Sequence, residues 1–121
     1  MSTLKLDTLS NKAGTASVPS DTIVSGTAKA WVNFNGTGTV AIRRAFNVSS
    51  ITDNGTGNYT VNFTNAMSDV YFATNVTAGF TADTGRYGEA ITPATTSIQV
   101  GVRNSSGTSV DNPGVYAAIF S

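Results

Sequence analysis

The chain has 121 residues, of which 40% are hydrophobic and only 12% charged, with seven basic and seven acidic side chains balancing to zero. That length holds one domain with a modest core, and the sparse, even charge excludes the concentrated positive field that nucleic acid or an anionic membrane requires. With no Cys and no His, disulfides, thiolate metal sites and His-based general-base chemistry are excluded as well.

Thr, Ser, Asn and Gly occupy the places that charges usually take. Thr suits strands, the other three suit turns, and all four weaken helix interiors, so the composition points to a nearly all-β chain. Residues 2–27, "STLKLDTLSNKAGTASVPSDTIVSGT", contain no aromatic residue and too little apolar surface to fold alone. Alternating Leu4, Leu6 and Leu9 predict one short strand, and Ile23-Val24 a second. Residues 1–27 are therefore expected to form an extended N-terminal arm that a partner orders. The opening "MSTLKLDTLSNKAG" has no apolar stretch of signal-peptide length, and nothing in the chain approaches the roughly 20 apolar residues of a membrane span.

From Ala28 the alternation becomes firm, and residues 28–121 are expected to form one β head. "AKAWVNF" places Ala28, Ala30, Val32 and Phe34 on one face and Lys29, Trp31 and Asn33 on the other. "NGTG" (35–38) opens on Asn-Gly, the strongest short hairpin cue. "TVAIRR" predicts a short strand ending at Arg43-Arg44. "AFNVSSIT" alternates through Phe46, Val48 and Ser50 and predicts a strand that "DNGTG" (53–57) turns back into "NYTVNFT". There Tyr59, Val61 and Phe63 face one side, and Asn58, Thr60, Asn62 and Thr64 the other.

"DVYFATNVT" (69–77) predicts the next strand, with Val70, Phe72, Thr74 and Val76 on one face. Residues 78–95, interrupted by Gly79, Gly85, Gly88 and Pro93, are expected to be irregular. "TSIQVGVRN" puts Ile98, Val100 and Val102 inward, and "SSGTSVDNPG" turns. "VYAAIFS" sets Val115, Ala117 and Ile119 opposite Tyr116, Ala118 and Phe120. No window keeps a helical apolar period. About six or seven short strands joined by glycine turns predict an antiparallel β-sandwich or Greek-key barrel.

Patterns that carry chemistry are few. Seven Asn-x-Ser/Thr triplets follow from alternating Asn and Thr on strand faces, and without a secretory signal they do not read as glycan acceptors. "GTGTVA" imitates a dinucleotide fingerprint, but strands on both sides make Gly36 and Gly38 turn glycines. The acids Asp7, Asp21, Asp53, Asp69, Asp83, Glu89 and Asp111 sit mostly in or beside turns, where Asp bonds its own backbone. The spacing of a calcium loop is missing at Asp53-Asn54. No catalytic residue, metal site or cofactor is expected. Arg43-Arg44 read as charges that keep a strand end soluble.

The loop "TADTGRYGEAITP" (81–93) is the expected contact surface. Gly85 and Gly88 let the backbone project Arg86 and Tyr87, residue types enriched at interfaces, and Asp83 and Glu89 flank them. Trp31, the one Trp of the chain, lies on the polar side of its strand and is expected to pack at a subunit contact. Leu4, Leu6 and Leu9 of the arm, with Tyr116 and Phe120 of the last strand, complete that expected contact set.

The run "AKAWVNFNGTGTVAIRRAFNVSSITDNGTGNYTVNFT" resembles a segment of tail-fibre and other virion structural proteins of marine and cyanobacterial bacteriophages. "STLKLDTLSNKAG" resembles the start of many such short proteins, and the likeness covers most of residues 2–78. It implies a virion component, made in the host cytoplasm: a homotrimeric fibre whose arm is held by other virion proteins of the tail or baseplate. Its head would contact a glycan or protein of the host surface. In a trimer, Thr and Asn faces would exchange hydrogen bonds between copies without the cost of burying charge. A capsid decoration protein is the alternative, and a monomeric carbohydrate-binding module a further one. The resemblance offers no catalytic motif that carries over to these residues.

Overall fold

The computed structural model describes residues 1–80 and 85–121. The N-terminal segment holds a small hairpin, β1 (Thr8–Ser10) with β2 (Ser17–Pro19), followed by one short helix, α1 (Ser20–Gly26). Of Leu4, Leu6 and Leu9 only Leu9 lies in β1, and the second strand falls at β2 rather than at Ile23-Val24, which belong to the helix. Pro19 enters the helix where no N–H partner is needed, and Asp21 lies in its first turn. The Lys29 ammonium donates to the carbonyls of Val24 and Thr27, satisfying the helix C-terminal end. β1 and β2 pair with each other and enter neither of the larger sheets.

The rest is an antiparallel β-sandwich, as the alternation predicts. Its strands are β3 (Ala30–Asn35), β4 (Ala41–Phe46), β5 (Val48–Gly55), β6 (Asn58–Phe63), β7 (Ala73–Gly79), β8 (Tyr87–Ala94), β9 (Ser97–Arg103) and β10 (Gly114–Phe120). A front sheet runs in the order β4-β3-β10-β7 and a back sheet in the order β5-β6-β9-β8. The chain changes sheet four times, between β4 and β5, β6 and β7, β7 and β8, and β9 and β10.

The inward residues are those of the period-two pattern. Val32, Phe34, Val115 and Ile119 of the front sheet join Tyr59, Val61, Ile98 and Val100 of the back sheet in one buried cluster. The Phe34 and Tyr59 rings meet edge to face at 5.2 Å across it. The Tyr59 hydroxyl shares its proton between the Gly36 carbonyl (2.7 Å) and Asp111 Oδ1 (2.9 Å), and the Gly57 N–H donates to the same carboxylate oxygen. Burial, reinforced by the Asp111 carboxylate, holds that phenol well above the usual tyrosine range. Fully buried Asn112 donates to the carbonyls of Gly79 and Gly114.

Within the sandwich four expectations change. β7 begins at Ala73, so Val70 and Phe72 of the strand predicted over 69–77 lie outside it. Residues Ala45 to Thr52 are not one strand: Asn47 adopts a left-handed conformation (φ 54°) and passes the chain from the front sheet to the back sheet. Arg43-Arg44 stand inside β4, an edge strand, rather than at a strand end. Residues 87–94 form the edge strand β8, not a loop. Pro93 is tolerated there because an edge strand can spare a donor, and a register shift between Ala90 and Thr92 breaks the alternation.

Candidate functional site

The two outer faces of the sandwich are built from similar residues and are bonded differently. On the back sheet the polar side chains serve one another. Asn62 Nδ2 donates to Ser50 Oγ (3.1 Å) and Thr52 Oγ1 (3.0 Å), and Asn54 Nδ2 donates to Thr60 Oγ1 (2.8 Å). Gln99 Nε2 donates to Asn58 Oδ1 at 2.8 Å, and Arg103 Nε pairs with Glu89 Oε1 at 2.5 Å. Cross-strand register dictates this ladder, because Ser50 stands opposite Asn62 and Thr52 opposite Thr60.

The front sheet leaves its amides unspent. Register aligns Phe46, Trp31, Ala118 and Asn75 in one row across its strands, and Arg44, Asn33, Tyr116 and Thr77 in the next. Ala118 is small and Trp31 is large, so a notch of about 340 Å³ opens over Ala118, between Trp31 and Tyr116, with Asn33, Asn75 and Thr77 around it. Tyr116 lies down on the backbone because Gly79 and Gly114 carry no side chain; a Cβ on either would come within 2.7 Å of it.

Asn33 and Asn75 use their carbonyl oxygens, accepting from Arg43 Nη1 and Thr77 Oγ1, each at 3.3 Å. Among the described residues, the NH₂ groups of both amides, the Trp31 indole N–H and the Tyr116 hydroxyl have no protein partner. The Arg43 guanidinium is also drawn aside, stacking 4.8 Å from the centroid of the Phe80 ring. No carboxylate lines the notch.

The residues singled out in the sequence fall on both sides of the molecule. Trp31, Tyr116 and Phe120 share the front face, with Trp31 36% and Phe120 37% exposed. Tyr87 and Glu89 belong to the back sheet; Tyr87 is exposed, while Glu89 is engaged by Arg103. Half-buried Arg86 donates to the Asp111 carbonyl. Asp83 lies outside the described residues. Leu4, Leu6 and Leu9 are exposed on the N-terminal segment, whose two strands pair only with each other.

Sequence reasoning did not single out Asn33, Asn75, Thr77 and Ala118 as one site, since only the non-local pairing of β3, β10 and β7 brings them together. A second recess, of about 640 Å³, lies where α1 meets the sandwich, between Ile23 and Val24 on one side and Phe46 and Asn47 on the other. Among the described residues, no three acidic side chains converge to hold a metal ion. No family model, curated protein or solved structure matches the chain.

Proposed function

We propose that the protein is a non-catalytic structural component of a larger assembly. On the resemblance of residues 2–78, that assembly is a bacteriophage virion, and the protein is a small fibre or fibre tip of three copies. Residues 1–27 join the copies to one another and to the particle, and the sandwich of residues 28–121 is displayed outward.

The observation that carries this reading is the uncovered apolar surface of the N-terminal segment. Leu4, Leu6, Leu9, Ile23 and Val24 are between 37% and 85% exposed, although the backbone around Leu9, Ile23 and Val24 is already folded into hairpin and helix. Covering that surface is worth on the order of 5 kcal/mol per chain, and the sandwich has a complete core without it. The recess beside α1 continues the apolar strip from Ile23 and Val24 onto Phe46 of the head.

Size-exclusion chromatography with light scattering tests the assembly step. The full chain is expected at the mass of three copies and residues 28–121 at the mass of one. A full chain that runs as a single copy overturns the reading. Immunogold labelling of virions then decides its place: label on the tail supports the fibre, whereas label coating the capsid identifies a decoration protein instead.

A further inference from the structure

We propose that the notch between Trp31 and Tyr116 is a binding site for a neutral oligosaccharide. This inference goes beyond the assembly reading and does not depend on it. Four features of the front sheet carry it.

First, Trp31 offers an exposed indole beside Ala118, a surface on which the C–H face of a pyranose ring can lie. Second, the polar groups around it are uncharged and unspent: the NH₂ groups of Asn33 and Asn75, the indole N–H and the Tyr116 hydroxyl. Amide donors match sugar hydroxyls, which both accept and donate.

Third, the lining itself is uncharged: no carboxylate or guanidinium lines the notch, Arg43 is held by Asn33 and by the Phe80 ring, and Arg44 stands one strand out, beyond Asn33, so a neutral ligand is seated without burying a charge. Fourth, the volume of about 340 Å³ falls at the lower end of ligand clefts, at about 300–1,000 Å³, which suits a short oligosaccharide in an open groove. The back face supplies an internal contrast. It has as much Asn and Thr, but the NH₂ groups of Asn54, Asn62 and Gln99 are spent on its own ladder, which leaves only that of Asn58 among these four amides.

The test uses the full chain on a printed array of neutral and acidic glycans, followed by titration with the strongest array binder. Because Trp31 is the one Trp, its fluorescence reports on the notch alone. A saturable change in Trp31 emission with a neutral oligosaccharide is expected. Calorimetry should show that Trp31→Ala weakens binding about tenfold and Asn75→Ala about threefold to tenfold. Thr92→Ala, on the back sheet, should leave it unchanged. Circular dichroism and light scattering on the same variants confirm fold and copy number, which neither substitution should alter. The proposal is overturned if no glycan on the array binds, if acidic glycans bind in preference, or if Trp31→Ala binds as tightly as the parent. A loss of oligomeric mass in Trp31→Ala without any glycan binding would also overturn it, and would make this face a contact between copies.

Discussion

Asn47 is the residue on which the first crossing between the two sheets turns, and its replacement gives a graded test of the fold. Its side chain binds both flanks of the crossing. Nδ2 donates to the carbonyls of Lys29 (3.0 Å) and Asn65 (3.1 Å), and Oδ1 accepts from the Asn65 N–H (2.8 Å). Its φ of 54° lies in the left-handed region, which Asn tolerates better than Ala does. Asn47→Gly keeps the backbone permissible and removes these three bonds together with a longer fourth, donated by Asn65 Nδ2 to Oδ1 (3.3 Å). At roughly 0.5–1.5 kcal/mol each, and with water replacing part of them at a half-buried site, the loss is about 2 kcal/mol. Asn47→Ala removes the same bonds and adds about 1 kcal/mol for a Cβ in that conformation. For a domain of this size about 1 kcal/mol moves the melting temperature by about 4 °C, so Gly should melt about 8 °C lower and Ala about 12 °C lower than the parent. Differential scanning calorimetry at neutral pH resolves that order. Equal melting of the two variants would remove the backbone argument, and a shift under about 2 °C in both would remove the hydrogen-bond argument as well.

Two further outcomes follow from the buried polar groups. The Tyr59 phenol is raised above its ordinary value of 10.0 in the folded state, first by burial and then by Asp111. Its contribution is therefore fully present below that value and is lost as alkalinity rises past it, because the unfolded chain ionises first. Urea midpoints measured against pH should fall more steeply above about pH 10 for the parent than for Tyr59→Phe; parallel curves would refute the coupling. Asn112→Leu leaves the buried carbonyls of Gly79 and Gly114 without their donor and should cost about 3 kcal/mol in urea unfolding. A cost under about 1 kcal/mol would show that those carbonyls find other partners.

The sandwich core was legible because its strands are long enough for period two to show. Tyr59, Val61 and Phe63, then Ile98, Val100 and Val102, are buried as the alternation requires. β8 was hidden partly by its place at a sheet edge, where Pro93 and a register shift are tolerated and side chains are mostly exposed, and partly by Gly88, which close approach to the Val76 backbone requires. The crossing at Asn47 was hidden because Phe46 and Val48 keep the alternation going across it, and positive φ leaves no mark in the sequence beyond the residue type. α1 is seven residues long, too short for a helical period to declare itself. For the candidate site, parity put Trp31 on the outer side of β3 and Tyr116 and Phe120 on the outer side of β10. That β10 lies between β3 and β7 is a long-range fact, and the notch exists only through it.

The charge-poor composition gains a different meaning once register is known. Taken as composition, every Thr/Asn face has the same need of a partner, and sharing between copies is one way to meet it. The back sheet meets much of that need within a single chain: Asn62 bonds Ser50 and Thr52, Asn54 bonds Thr60, and Gln99 bonds Asn58. The front sheet breaks such pairing by placing Trp31 and Ala118 between the amides, and the donors of Asn33 and Asn75 are left facing outward. Adhesiveness on a strand face is thus set by which hydrogen-bonding groups the register leaves unpaired, not by how many it carries. Unpaired groups alone are not enough, because the front sheet also supplies the notch between Trp31 and Tyr116. Asn62→Ala should free the Ser50 and Thr52 hydroxyls without creating a notch, and so should leave glycan binding where it was.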